Sequence, residues 1–397
     1  METALQAEKD NRVTPKDVKK MYRLPDVVKF CKKCVVSNQR PRIVFGDDGV
    51  CNACKFAERK SARIDWEQRK AELKKLCDHF RSREGHYDVV IPASGGKDST
   101  FVAYTLKEEY KMHPLTAMWA PQKFTEVGWA NLQSFIHAGF DNLLGTPNGK
   151  VCRLLTRYCF REMGDPFQPF VYGMASFPLR IAVAYKIPLV FYGENGEAEY
   201  GGDNYNEDSC RYDLETEIDR HVFSNIRPDY FKKFGVSDAD LQIYMPPTVD
   251  EFRKVGIEAH FMSYYRRWIP QENYYLATRY TGFTPNIDGR SEGTYSKYAS
   301  LDDRMDGFHY YLMFIKFGIG RATSDAAHEI RDGHLNRDEG LRLVRKYDGE
   351  FPRKYFKEFL EYCDITEEYF WEVINSWRSP HIWEKSSGEW KLRYQVT

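Results

Sequence analysis

Charge of either sign is not in excess: 58 Lys+Arg stand against 58 Asp+Glu, a formal net charge of zero. That balance, and the lack of a Lys/Arg-rich arm, remove any general pull toward nucleic acid or an anionic membrane. No run of about 18 apolar residues occurs, so membrane insertion is not expected. The first ten residues are charged and do not resemble a signal peptide, which predicts a cytoplasmic protein. Internal repeats and low-complexity tracts are missing. So is the Gly-x-x-x-x-Gly-Lys-Ser/Thr spacing that marks β,γ-cleaving ATPases and kinases. With 397 residues the chain is no small stapled scaffold, and it has room for two or three domains.

What is present begins with cysteine. Four of the nine fall into one pattern, Cys31-x-x-Cys34 and Cys51-x-x-Cys54, with 16 residues between the pairs. Each pair forms a knuckle whose thiolates converge, and two knuckles complete a tetrahedron, so the spacing predicts a structural Zn2+ site. Asp48-Gly49 reads as the turn of a short hairpin between the pairs. Disulfides are the alternative, disfavoured in a reducing compartment. Cys77, Cys152, Cys159, Cys210 and Cys363 have no such spacing and read as buried small hydrophobes. The 27 Tyr, 26 Phe and 8 Trp are mostly packing residues, although polar-tipped aromatics also suit sugar-binding walls.

A second pattern, Ser94-Gly95-Gly96-Lys97-Asp98-Ser99, follows a strand-like run (87–93) and precedes a helix-like one (100–106). Glycines let the backbone curl its N–H groups around an anion, and the following helix points its positive end at the same place. Around it, helix and strand signals alternate. A helix is expected over 64–83, strands over 114–120, 141–146 and 187–192, and helices over 128–138 and 177–185. This implies an α/β fold with a parallel sheet, its ligand at the carboxyl ends of the strands. Residues 1–60 form an arm and zinc segment, 61–200 the nucleotide domain, 201–300 a bridging or substrate segment, and 301–397 a helical C-terminal subdomain.

The third string, Gly193-Glu194-Asn195-Gly196-Glu197-Ala198-Glu199, follows the 187–192 strand and so lies at the same sheet edge. Its carboxylates either hold Mg2+, move protons or form a solvated acidic turn. The 94–99 string resembles the PP-loop of the ATP pyrophosphatases, an adenine nucleotide alpha hydrolase-like fold. With the cysteine knuckles, the 193–197 string, Tyr298-Ala299-Ser300-Leu301-Asp302-Asp303 and Gly320-Arg321-Ala322-Thr323-Ser324-Asp325, the chain is similar to the N-acetyl sugar amidotransferases of surface-polysaccharide and flagellar-glycan synthesis.

The resemblance implies an ATP-dependent, AMP-forming ligase that adenylates the acetamido oxygen of an N-acetylated nucleotide sugar. Ammonia then replaces that oxygen to give an acetamidino sugar. It implies Ser94, Gly95, Gly96, Asp98 and Ser99 as pyrophosphate ligands, with Lys97 adding charge, and Lys97, Asp98, Glu194 and Glu197 as catalytic candidates. Glu194 and Glu197 are also candidates for Mg2+, and Asn195 for substrate. Arg290, Lys297, Asp302, Asp303 and Arg304 either bind the nucleotide sugar or form an ordinary charged surface. His309, His328 and His334 have no metal spacing and read as packing or surface residues.

Residue 2 is glutamate and no cysteine sits in a Gly-x-Cys-x-Gly elbow, so no glutaminase nucleophile is visible. The resemblance implies separate glutaminase and synthase-like partners, similar to the histidine-biosynthesis pair. Two other readings compete. One is a tRNA-modifying PP-loop enzyme, for thiolation or lysidine-type ligation, against which stand the zero net charge and the lack of a second C-x-x-C in 61–200. The other is a zinc-containing scaffold with a degenerate nucleotide site, against which stands the intact 94–99 string.

Overall fold

Apolar runs too short and too continuous for surface helices become the strands of one sheet, and amphipathic segments cover it. The computed structural model describes residues 13–203, 208–213 and 223–397; the expected N-terminal arm and acidic bridging stretch lie partly outside them. Helix α1 (Asn52–Ala62) grows directly out of the second cysteine pair. Helix α2 (Trp66–Phe80) starts where the Asp65 carboxylate accepts the N–H groups of Glu67 and Gln68, at 3.1 and 3.0 Å. Then come β1 (Val89–Pro92), α3 (Lys97–Tyr104), β2 (Pro114–Trp119), α4 (Glu126–His137), β3 (Asp141–Gly145), α5 (Gly149–Met163), α6 (Gln168–Tyr185), β4 (Leu189–Tyr192) and the short α7 (Gly196–Tyr200). Farther on lie β5 (Glu258–Phe261) and α8 (Pro270–Thr281). The C-terminal part contains α9 (Asp306–Phe317), α10 (Arg321–Arg331), α11 (Arg337–Tyr347), α12 (Phe356–Cys363), α13 (Glu367–Ser376) and the hairpin of β6 (Trp383–Ser386) and β7 (Glu389–Leu392).

Strands β1 to β5 are all parallel, in the order β3-β2-β1-β4-β5. Successive side chains alternate between two cores. Val89, Ile91, Leu189 and Phe191 pack with Leu73 of α2, Phe101 of α3 and Phe135 of α4. Val90, Leu115, Ala117, Trp119, Val190 and Ala259 pack with Leu155 of α5 and Tyr172 and Leu179 of α6. Burial on both faces is why these strands read as continuous apolar runs. A third core joins Phe160 of α5 to Phe308, Phe359, Phe370 and Trp377. The chain leaves α5 at Gly164, whose φ of 58° and tight approach to the Trp377 ring leave no room for a side chain.

Four features differ from the sequence expectation, the first being that β5 (Glu258–Phe261) completes the sheet from within the stretch read as a bridging segment. Helix α5 was not anticipated, although Val151, Cys152, Leu155, Tyr158 and Cys159 form its buried face and the Asn148 side chain caps it. Helix α6 starts at Gln168 and runs straight through Pro178. Burial of Phe170, Tyr172, Ala175, Leu179 and Ala182 outweighs the one backbone hydrogen bond that the proline removes. The C-terminal part is helical as expected but ends in a hairpin, because Trp383 is buried beside Phe314 and its indole N–H reaches the Ile315 carbonyl at 2.7 Å.

Candidate functional site at the strand-order reversal

Strand order reverses between β1 and β4, so the loops leaving their carboxyl ends diverge and open a crevice. The 94–99 loop leaves β1 and the 193–202 segment leaves β4. Gly95 adopts φ 76°, and a Cβ there would stand 2.8 Å from the Leu132 Cα on α4, so glycine is required twice over. Ser94 Oγ accepts the Gly96 N–H at 3.3 Å and Ser99 Oγ donates to the Gly96 carbonyl at 3.1 Å. The Asp98 carboxylate is bonded to Lys97 Nζ and accepts from Asn273 Nδ2 at 2.9 Å.

A cleft of about 180 Å³ opens on this loop. Ser94, Gly96, Lys97, Asp98 and Ser99 line it, while Gly95 lies beneath. Gly128 and Asn131 of α4 form one wall. The other wall is Tyr298 to Asp302 together with Arg321; of these the sequence singled out Asp302 as a substrate candidate and gave Tyr298 and Arg321 only within motif strings. A side chain at Gly128 would meet the Asp302 Cα at 2.5 Å, which is how closely the 298–303 strap approaches. Arg321 is held by Asp325 at 3.1 Å and by the Tyr310 hydroxyl. Burial and the Asp306 carboxylate push Asp302 up to about 6. Burial and the Asp98 carboxylate push Glu194 up to about 7.

The rest of the 193–202 segment is held by the cysteine-bearing part of the chain. Asn195 Oδ1 caps α7, accepting the Glu197 N–H at 3.1 Å. Glu197 binds the Arg42 guanidinium and accepts the Asp203 N–H at 2.7 Å, so its oxygens face the cysteine segment. Arg40 Nε donates to the Gly201 carbonyl at 2.6 Å and Asn52 Nδ2 to Gly202 at 2.9 Å. Lys60 meets Glu199 at 2.7 Å with both side chains buried, and His328 lies 3.4 Å from the same carboxylate. Burial would raise Glu199, but Lys60 and His328 outweigh it and hold it at about 2.

The four cysteines are buried, and their sulfurs all lie within 4.8 Å of one another. Cys31 and Cys54 are 3.9 Å apart and Cys34 and Cys51 3.8 Å. A tetrahedral ion with metal–sulfur bonds of about 2.3 Å spaces its ligands by about 3.8 Å, so the set fits a metal such as zinc and no disulfide. The Cys51 N–H points at Cys31 Sγ at 3.3 Å, as suits a thiolate. From α11, Arg337 clamps the first knuckle by its carbonyls at Cys34 and Cys31, at 3.2 and 3.3 Å.

Other sequence candidates fall elsewhere. Arg290 pairs with Glu350 at 2.7 Å and lines an adjoining cavity of about 320 Å³ with Asp303 and Arg304. Lys297 lies over the Tyr274 ring at 4.6 Å. Asp303 accepts the N–H groups of Gln122 and Met305 at 2.5 and 2.9 Å, and Arg304 binds Glu358 and Glu126; both tie the strap to the start of α4. Cys152 and Cys159 are buried thiols raised by desolvation. His309 is half-buried beside Asp165, and His328 is buried between Asp332 and Glu199.

Residues 292–396 match the family model of the C-terminal domain of WbpG-like lipopolysaccharide (LPS) biosynthesis proteins. The matched stretch contains Tyr298, Asp302 and Arg321 of the cleft. A further 89-residue alignment, 22% of this chain, is 27% identical to the uncharacterized protein MJ1599 of Methanocaldococcus jannaschii and covers 31% of that protein. The chain therefore aligns with about a third of that relative's length.

Purified protein is expected to carry about one zinc per chain by elemental analysis, and Cys34→Ser should lose the metal and melt earlier; well-folded protein without zinc would refute the site. Lys60→Met should cost about 3 kcal/mol at neutral pH in urea titration, because Glu199 is left buried with only His328 to oppose its charge. Since Glu199 is depressed from 4.5 to about 2, the pair's contribution is present above pH 4.5 and lost as pH falls through about 2. The gap between wild type and variant should shrink over that window.

Proposed function

We propose that the chain is an ATP-dependent, AMP-forming amidotransferase acting on an N-acetylated nucleotide sugar. It adenylates the acetamido oxygen and replaces it with ammonia, giving an acetamidino sugar. The observation that carries this reading is the meeting of the 94–99 loop and Glu194 at one crevice, with Glu194 poised at about 7 beside Asp98. The likeness of residues 292–396 to an LPS biosynthesis domain supports a sugar as second substrate.

The chemistry balances as follows. The amide oxygen attacks the α-phosphorus of ATP, the bond to pyrophosphate breaks, and the amide N–H proton goes to a base, leaving a neutral O-adenylyl imidate. Ammonia adds to its carbon and AMP departs. In this reading the loop N–H groups, Ser94, Ser99 and Lys97 hold pyrophosphate, and Asp98, fixed by Asn273, orients Lys97. Glu194 takes the amide proton. Arg321 faces the phosphoryl group from the opposite wall. Glu194, raised by burial and by the neighbouring Asp98 carboxylate, is with Asp98 the candidate for Mg2+, which would offset phosphate charge. Asn195 and Glu197 act through the segment they fix. Ammonia comes from glutaminase and synthase-like partner subunits, in keeping with the burial of Cys152 and Cys159.

Incubation with ATP, Mg2+, ammonium and N-acetylated UDP-sugars should release AMP and pyrophosphate; substrate-dependent ADP would sink the scheme. A base titrating at about 7 must be deprotonated to act, so pyrophosphate exchange should rise through that pH. Glu194→Gln should lose this limb and about 10² to 10⁴ in rate. The isolated chain should use ammonium and ignore glutamine until a glutaminase partner is added; turnover with glutamine alone would expose an unrecognised nucleophile.

A further inference from the structure

A second cavity, of about 170 Å³, lies on the cysteine-segment side of the 193–202 segment. Its lining brings together Arg40 and Arg42 from between the cysteine pairs, His309 and Lys316 of α9, and Asp165 and Gln168 from the junction of α5 and α6. Four of these six carry or can carry positive charge.

Two of the four are matched. Arg42 binds Glu197, and His309 lies 2.9 Å from Asp165. Burial would lower the His309 pKa, but Asp165 outweighs it and keeps it raised. The other two have no carboxylate within ion-pair distance among the described residues. Arg40 gives only its Nε, to the Gly201 carbonyl, and its guanidinium leans over the Tyr200 ring at 5.9 Å. Its terminal Nη groups have no hydrogen-bond partner among the described residues. Lys316 is 6% exposed, and its ammonium donates to the Met163 carbonyl at 3.2 Å. The nearest acids are already engaged: Asp165 by His309 and the Phe167 N–H, and Glu197 by Arg42 and the Asp203 N–H. Burial lowers the Arg40 pKa, Glu197 recovers part of the loss, and Arg42 and Arg331 lower it further. Lys316 also feels the Asp165 carboxylate and lies over the rings of Tyr22, Phe317 and Trp377, yet Asp165 and Glu197 are two carboxylates against four cationic groups, an excess that an anionic ligand would balance.

We propose that this cavity is an anion-binding site, with the Arg40 Nη groups and Lys316 Nζ as donors to a phosphoryl or carboxylate group. Assigning that anion to the second substrate rests on the amidotransferase reading; the uncompensated charge does not. The guanidinium fork suits either oxyanion. The 94–99 loop is then left to the phosphates of ATP, and the second substrate is anchored on the far flank of the segment that carries Glu194.

The test uses the full chain without ATP or ammonia, titrated calorimetrically with UDP and separately with glucuronate. One of the two is expected to bind at one site per chain. Arg40→Gln and Lys316→Met should each weaken it by about tenfold or more. Preference for UDP identifies a phosphoryl group, preference for glucuronate a carboxylate. If buried Lys316→Met does not fold, Arg40→Gln decides alone. The proposal is overturned if neither probe binds or if Arg40→Gln binds as wild type does. With no ATP present, this outcome is independent of whether AMP is ever formed.

Discussion

Lys60 and Glu199 meet with both side chains almost wholly out of solvent, and His328 approaches the same carboxylate from a third part of the chain. A buried ion pair of this kind adds little net stability over apolar packing, but a misplaced partner is heavily penalised. Here it pins α1, α7 and α10 to one point. Each of these elements carries something that chemistry at the crevice would need. Helix α1 holds Cys54, α7 ends the segment bearing Glu194, and α10 begins with Arg321. The metal-fitting cluster is thereby coupled to the crevice through packing rather than through any shared ligand.

Charge is left unbalanced on both flanks of the 193–202 segment, with opposite sign. Toward the cleft, burial and Asp98 raise Glu194, while burial and Asp306 separately raise Asp302. Toward the cysteine segment, Arg40 and Lys316 have no carboxylate within ion-pair distance among the described residues. Most other buried charges in the molecule are paired, as Lys60, Arg321 and Asp165 illustrate.

Local signals carried the expectation wherever function or burial imposes a strict residue type. Four of the five parallel strands were visible in the sequence, the tight turn at 94–99 as paired glycines flanked by serines, and the cysteine cluster as spacing alone. What escaped notice depends on long-range packing. Nothing near Glu197 or Glu199 in sequence announces that Arg42 and Lys60 occupy them, so their carboxylates read as available. Arg290 and Lys297 share a Tyr-rich stretch with Tyr298 yet face different surroundings. Pro178 looked like a helix start because its neighbours' burial on the sheet could not be seen. Helix α5 is the instructive omission: its periodicity was present, but polar Arg153, Arg157 and Arg161 between the apolar positions masked it.

The clamp that Arg337 places on the Cys31 and Cys34 carbonyls spans more than 300 residues of chain. During synthesis the knuckles emerge early and the helix that seals them emerges about 300 residues later. At about 5 to 20 residues per second, the interval is about 15 to 60 s. For that time the thiols have no protein lid. Metal capture on the ribosome would therefore protect the cluster through the window in which oxidation or mispairing is easiest, and the finished fold would lock in an ion acquired long before.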